Sequence, residues 1–255
     1  MRRLPPEVRG LLTEFRNTLL RRLKHNLVGV YLSGSVAFPR FQARAGDIDF
    51  YVVLKQHPNK DEKERLDCLH HVLARKFRFG DRLDGFYIPL TKARRRSKPT
   101  GLTYAANGGL YLGGKDDDWA LHREHFRRGA YIALYGQRAD RIFRKPTWRE
   151  VEMELDGNLK YVERHLPEHP VYCVLQLCRL VYSFETRKVV ISKIHAAERT
   201  LKEFPPHWRA LIRAAIRAYH GVKRQDDRRL LSERAPGFFD YVSERIARAR
   251  RLRQS

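Results

Sequence analysis

The feature that most constrains the fold is a change in hydrophobic pattern near residue 150. Before it, short apolar runs rich in Val, Tyr and Ile alternate with helical stretches. After it, the periodic stretches all have helical spacing, and residues 171–185 are apolar on nearly every side, which indicates a buried helix. The sequence therefore predicts an α/β domain with a small mixed sheet and flanking helices over 1–145. An all-α helical bundle is predicted over 146–255.

The individual elements follow from the same patterns. Strands are predicted at 27–32 (LVGVYL), 48–54 (IDFYVVL), 84–90 (DGFYIPL) and 109–112, and at the end of 119–136, which begins as a helix. Helices are predicted at 6–25, 58–77, 151–166, 171–185, 192–203, 206–220, 226–234 and 237–252. The segment 92–101 is predicted as a basic loop, and 138–150 as a linker.

The composition is that of a folded, cytoplasmic protein. Hydrophobic residues make up 42% of the 255 residues and charged residues 32%, which argues against a disordered chain. No apolar run is long enough to span a bilayer, and the N-terminus lacks the apolar core of a signal peptide. The three cysteines have no metal-binding spacing, so we expect them to be reduced.

The formal net charge of +23 leaves two interpretations open. A strongly basic chain favours polyanionic partners such as nucleic acid or a nucleoside triphosphate. The alternative is an arginine-rich composition whose excess charge is scattered over solvated faces. Charge alone does not decide between them, because it reports on association and solubility rather than on fold.

Two short motifs suggest a metal–phosphate site. Asp47 and Asp49 stand two apart at the start of a strand, so their side chains project to the same side, with Ile48 toward the core. Two adjacent carboxylates repel unless a cation lies between them, and hard oxygen ligands suit Mg²⁺. Ser33-Gly34-Ser35 ends the preceding strand, where Gly34 lets backbone N–H groups approach a phosphate and the serines add hydroxyl donors.

These motifs carry a resemblance to a known family. The pattern GS-x(11)-DID resembles the signature of nucleotidyltransferases of the DNA polymerase β type. The stretch 172–201 (YCVLQLCRLVYSFETRKVVISKIHAAERTL) is similar to the helical domain of the aminoglycoside nucleotidyltransferases that adenylylate streptomycin and spectinomycin. The resemblance covers roughly residues 27–225.

The resemblance implies a role for several residues. Asp47 and Asp49 would hold magnesium, with two ions expected and ATP as co-substrate. Asp84 would be the third carboxylate, serving as metal ligand and as general base toward the acceptor hydroxyl, although the drug-modifying members carry Glu there. Without the resemblance, Asp84 reads as a turn or capping residue. Arg179 and Lys193 would bind the nucleotide. Without the resemblance, Lys193 would be interpreted as a surface lysine at the start of a helix.

The acceptor side departs from the family pattern. Drug-modifying members place acidic and amide residues before the VL-x-L helix, whereas this chain has PEHPVY at 167–172. Trp119 is a candidate stacking platform for a sugar ring, and Asp118, in the run 116–118, is a candidate partner for an amine-rich acceptor. The alternatives are a core tryptophan and an acidic helix cap.

The function predicted from these residues is an enzyme. It would transfer AMP from ATP to a hydroxyl of a small molecule, with an aminoglycoside antibiotic as the expected acceptor and a monomer as the expected state. One alternative is nucleotidyl transfer to a macromolecule, an RNA end or a protein hydroxyl. The other is a non-catalytic nucleotide- or nucleic-acid-binding module.

Overall fold

The computed structural model describes residues 4–39, 41, 46–105, 109–222 and 224–253. The chain divides into two compact units, 1–146 and 147–255. This boundary lies one residue beyond the one predicted from the sequence.

The first unit is built on a six-stranded mixed sheet. Its strands are β1 (Leu27–Leu32), β2 (Ile48–Leu54), β3 (Leu83–Pro89), β4 (Thr100–Ala105), β5 (Gly109–Lys115) and β6 (Ile132–Tyr135). Its helices are α1 (Pro6–Leu23), α2 (Lys60–Lys76), α3 (Leu90–Ala93) and α4 (Trp119–Arg127). The strand order is β5-β4-β3-β2-β1-β6, in which β2 and β3 are parallel and the other neighbours are antiparallel. The predicted mixed sheet with flanking helices is confirmed.

The hydrophobic core is divided between the two faces of the sheet, because successive side chains along a strand point to opposite faces. In β2, Phe50 and Val52 are buried in a cluster with residues of α1 and α2. Tyr51 and Val53 are buried in a second cluster on the other face, which includes Phe126 of α4. Since successive strand side chains point to opposite faces, β2 is covered on both sides, which explains why it reads as a continuous apolar run.

The sequence prediction missed β4 and underestimated β5. The predicted basic loop 92–101 includes the first two residues of β4, and no strand is predicted over 100–105, whereas the structure pairs β4 antiparallel with both β3 and β5. Glycine and the nearby Pro99 lower the local strand signal, and hydrogen bonds to two neighbouring strands override it. The segment 119–136 behaves as predicted, since α4 ends at Arg127 and β6 follows.

In the described residues of the second unit, 147–222 and 224–253, every regular element is a helix. Its helices are α5 (Trp148–His165), α6 (Pro170–Thr186), α7 (Lys193–Glu203), α8 (Pro206–Tyr219) and α9 (Gln225–Arg251). Helix α6 is the predicted buried helix, with ten buried side chains along its length. No described helix has the length and apolar character needed to cross a membrane.

The prediction of two separate helices at 226–234 and 237–252 is wrong. A single helix, α9, runs through Pro236. Its buried positions continue across the proline, at Leu231, Ala235, Phe238 and Val242. Proline removes one backbone donor, but Pro236 lies on the exposed side of the helix, where water can hydrate the released carbonyl. The continuous apolar stripe therefore outweighs the local cost of the proline.

The start of α2 gives a testable contribution to stability. The side chain of Asn59 accepts a hydrogen bond from the Glu62 N–H at 2.9 Å, and the Glu62 carboxylate accepts one from the Asn59 N–H at 3.0 Å. We expect Asn59→Ala to lower the free energy of unfolding by about 1 kcal/mol, because an orphan N–H loses its partner. Urea unfolding followed by circular dichroism measures it. Asn59→Ser keeps an acceptor and is the control; equal losses in both variants would contradict the capping role.

Candidate functional site

The predicted metal- and phosphate-binding residues of the first unit lie at one edge of the sheet. β1 is antiparallel to β2, with Leu32 opposite Phe50, so the end of β1 lies beside the start of β2. The N–H of Ser33 donates to the carbonyl of Asp49 at 3.0 Å, which continues the ladder past the end of β1. The Ser-Gly-Ser segment and the Asp-x-Asp segment, separated in sequence, are therefore neighbours.

Asp49 and Asp84 are direct partners across the parallel β2–β3 pair. Asp49 shares a sheet face with Tyr51, and Asp84 shares that face with Phe86, because side chains two apart on a strand point the same way. Adjacent strands are about 4.8 Å apart, so the two carboxylates leave neighbouring positions on one face. The structure thus places the third acidic residue beside the second.

Gly34 brings the backbone against the carboxylate of Asp49. Its φ of +62° lies in the left-handed region, which favours glycine. A Cβ at this position would overlap the side chain of Asp49. No other residue fits here unless Asp49 moves, so the turn and the carboxylate are fitted to each other.

The two serine hydroxyls differ in their surroundings. Ser33 is fully buried, and its hydroxyl has no hydrogen-bond partner among the described residues. Ser35 Oγ lies 3.5 Å from the carbonyl of Asp47, at the limit of a hydrogen bond. Residues 34–37 form one 3₁₀ turn, not an α-helix, so donors at this edge come from the turn itself.

Asp47 lies just before β2 and is only partly engaged with this edge. Its carboxylate is 3.8 Å from the guanidinium of Arg82, and both side chains are more than one-third exposed. In the described part of the chain, no group of three or more His, Cys, Asp or Glu side chains is close enough together to hold a metal ion. The three predicted carboxylates are therefore adjacent at the backbone level, without converging on a single point.

The residues at this edge nevertheless fit a magnesium ion by chemistry. Asp47, Asp49 and Asp84 supply only carboxylate oxygens, the ligand type that Mg²⁺ prefers, and Mg²⁺ usually keeps water or phosphate oxygens in its other positions. The backbone of Gly34 also lies directly beside the carboxylate of Asp49. Asp47 would have to turn away from Arg82 to join the other two.

A buried polar network, which the sequence analysis did not find, lies on the same sheet face. Asp116 is buried, with 3% of its surface exposed. Its carboxylate accepts a short hydrogen bond from the hydroxyl of Tyr51 and another from the N–H of Asp118 at 3.0 Å. It also forms an ion pair with His122, whose Nδ1 is 3.1 Å away. His122 Nδ1 is also 2.7 Å from the Tyr51 hydroxyl. The only sequence signal was that Tyr51 follows Asp49 by two positions.

The network fixes the charges of both titratable partners. Burial alone would raise the pKa of Asp116, but the charge and hydrogen bond of His122 and the Tyr51 hydroxyl hold it below its usual value. Burial would likewise lower the pKa of His122, but the charge and hydrogen bond of Asp116, with the charges of Asp118 and Asp49, raise it to about 9. The pair is therefore ionised at neutral pH.

The structure does not support Trp119 as an acceptor platform. Trp119 is fully buried in the cluster with Phe143, and its indole N–H donates to the carbonyl of Arg95 at 3.2 Å. It is a core residue with no exposed ring face on which a sugar could stack. Asp118 is half-buried and occupies the N-cap position of α4, without a side-chain capping bond.

The two predicted nucleotide-binding residues of the second unit lie on α6 and α7. Arg179 is half-buried on the otherwise apolar α6, and its guanidinium makes no hydrogen bond or ion pair among the described residues. Lys193 begins α7, and its ammonium lies 4.0 Å from the ring centroid of Tyr172. The predicted roles of both residues stay predictions.

The Asp116–His122 pair predicts a pH-dependent stability. A carboxyl with a lowered pKa stabilises the fold above its unfolded value, about 4, and a histidine with a raised pKa stabilises it below its unfolded value, about 6.5. We expect His122→Gln to lower the melting temperature most between about pH 5 and 6.5. The difference should then shrink as the pH rises through 9, where wild-type His122 loses its proton.

Melting curves recorded by circular dichroism from pH 5 to 9.5 measure this difference. His71→Gln, an exposed histidine on α2, is the control and should show little change at any pH. A His122→Gln difference that is flat across the range would contradict the ion pair.

Two comparisons with known proteins found similarities, one over the C-terminal part of the chain and one over the whole fold. Residues 141–245 match the protein-family model of the aminoglycoside adenylyltransferase C-terminal domain. A search of curated protein sequences found no match. Among solved structures, the chain is similar to the crystal structure of the spectinomycin adenyltransferase AAD(9) from Enterococcus faecialis with ATP and spectinomycin. The TM-score is 0.75 at 18% identity, over 94% of this chain and 99% of the other.

At this identity the likeness shows a shared fold, which confirms the predicted fold class. The family match covers the region in which the sequence resemblance to the helical domain was seen. The C-terminal part of the chain therefore resembles the helical domain of aminoglycoside adenylyltransferases, and the whole chain shares the fold of a spectinomycin adenyltransferase.

Proposed function

We propose that this protein transfers AMP from ATP, with Mg²⁺, to a hydroxyl group of an aminoglycoside antibiotic. The observation that carries the proposal is the register of β2 and β3, which sets Asp49 beside Asp84 at the edge where Gly34 approaches Asp49. The family match of residues 141–245 and the ATP and spectinomycin in the similar structure support the choice of co-substrate and acceptor class.

Asp47, Asp49 and Asp84 are the proposed magnesium ligands. When bound, the metal would neutralise triphosphate charge and favour in-line displacement at phosphorus. Asp84 is also the proposed general base, because a hydroxyl needs a nearby carboxylate to take its proton. Gly34 and the serines on either side of it supply backbone and hydroxyl donors to phosphate oxygens.

Arg179 and Lys193 are the proposed phosphate ligands of the second unit. A half-buried guanidinium on an apolar helix is unfavourable without an anion, and Arg179 has none among the described residues. A triphosphate would provide that anion. Lys193, at the start of α7, is exposed enough to reach a ligand.

One residue is proposed to bind the acceptor. Asp118 is the remaining candidate of the predicted pair, since its partly exposed carboxylate suits a cationic drug. Trp119 is withdrawn because it is buried.

Pyrophosphate release from ATP and Mg²⁺ tests the proposal across streptomycin, spectinomycin, other aminoglycosides and bulk tRNA. We expect release with at least one drug and not with tRNA, and none from Asp49→Ala with any acceptor. Release with tRNA alone would instead favour transfer to a macromolecule, in line with the +23 charge. Binding of ATP with no release from any acceptor would favour a non-catalytic module.

The carboxylate of Asp84 should be needed for turnover. We expect Asp84→Asn to lower kcat on the order of 10³-fold while leaving the melting temperature close to that of the wild type, because it removes a charge from a polar edge. Asp84→Glu keeps the carboxylate and should retain more activity than Asp84→Asn. Equal kcat in wild type and Asp84→Asn would remove this residue from the mechanism.

Gly34 should matter for turnover beyond its effect on stability. Gly34→Ala places an L-residue at positive φ and displaces Asp49, so we expect about 1 kcal/mol of destabilisation and about 10²-fold lower kcat. Gly129→Ala is a matched control, since Gly129 has a φ of +78° but open space around its Cβ position. It should lose similar stability and keep its kcat; equal kcat losses in the two variants would contradict the specific contact.

A further inference from the structure

His122 presents one ring nitrogen to the network and the other to solvent. Nδ1 is occupied by both carboxylate oxygens of Asp116 at 3.1 Å and by the Tyr51 hydroxyl at 2.7 Å. Nε2 makes no hydrogen bond to any described residue, and it is not among the buried polar atoms that lack a partner. The side chain as a whole keeps 24% of its surface exposed. The free N–H of the imidazolium is therefore accessible to a ligand.

The partners of His122 are themselves held by further contacts. Asp116 is itself fixed by the Tyr51 hydroxyl and by the Asp118 N–H, so the carboxylate cannot follow the imidazole elsewhere. The Tyr51 ring packs edge-on against the His122 ring at 5.5 Å. An oriented carboxylate bound to one ring nitrogen sets the direction in which the other donates.

The location of this donor suggests its ligand. Tyr51 lies two residues along β2 from Asp49, on the sheet face that also carries Asp84. The Tyr51 hydroxyl lies 2.7 Å from Nδ1 of His122, so the imidazolium lies on the sheet face that carries the proposed metal–nucleotide edge. A fixed cation with an accessible N–H next to such an edge suits an anionic oxygen, and phosphate is the anion of the proposed reaction.

We infer that His122 is a further catalytic residue, whose Nε2–H donates to a phosphate oxygen of the bound nucleoside triphosphate. Asp116 and Tyr51 act as positioning residues that fix its orientation. The inference rests on the proposed function, because it needs ATP at the Asp49–Asp84 edge. A charge-assisted hydrogen bond of this kind stabilises the bound triphosphate and the charge that develops on the leaving pyrophosphate.

Two substitutions separate this role from a structural one. His122→Asn keeps an amide nitrogen near the position of Nδ1, so it retains a donor to Asp116 but removes Nε2. His122→Gln is the second variant, in case His122→Asn does not fold; it removes the positive charge but keeps an amide near the position of Nε2. The matched control is Arg128→Gln, which removes one positive charge just after α4, where Arg128 is exposed and paired only with Glu124 at 2.8 Å.

The measurement is the dissociation constant of ATP with Mg²⁺, without acceptor and at constant ionic strength, alongside the melting temperature. We expect about 10-fold weaker ATP binding in His122→Asn, a smaller loss in His122→Gln, whose amide can still donate without the charge, and unchanged binding in Arg128→Gln. A folded His122 variant that binds ATP as tightly as the wild type would overturn the inference and leave His122 a structural residue. Failure of the wild type itself to bind ATP would instead count against the proposed function.

Discussion

The candidate site depends on the parallel, in-register pairing of β2 and β3. Residues 49 and 84 are 35 positions apart in sequence, and only this pairing makes them neighbours. Both strands begin at the same edge, and the antiparallel β1 ends there, so three segments contribute to one site. A one-residue slip in either strand would send one carboxylate to the opposite face, into the cluster under α1 and α2. The apolar alternation along β2 and β3 therefore fixes the chemistry as well as the core.

Adjacent carboxylates on neighbouring strands repel each other, and the surrounding groups limit that cost. Arg82 lies beside Asp47, and the imidazolium of His122 lies near Asp49. Both carboxylates are at strand starts, where water and cations have access, and not in the strand centre, where Tyr51 and Phe86 are packed. A magnesium ion at the proposed site would complete this compensation.

The sequence predicted those parts of the fold and of the candidate site that have a local pattern of residue types. The Asp-x-Asp segment inside an apolar run, the buried α6 and the loss of strands near residue 150 could all be predicted, because each has a local pattern. β4 could not, since glycine masks a strand that is held by two neighbours. The continuity of α9 through Pro236 depended on packing along the whole helix. The Tyr51–Asp116–His122 network joins residues up to 71 positions apart, and no local pattern reports such a contact.

The most direct test of the central claim is metal binding at the paired carboxylates. Mn²⁺ can replace Mg²⁺ at oxygen ligands, and its electron paramagnetic resonance signal reports bound ion in the presence of a non-hydrolysable ATP analogue. The account predicts nucleotide-dependent Mn²⁺ binding in the wild type, and in Asp117→Asn, whose carboxylate is exposed on the surface. That binding should be strongly weakened in both Asp49→Asn and Asp84→Asn. Wild-type Mn²⁺ affinity in both of these variants would show that the β2–β3 register does not build the metal–nucleotide site.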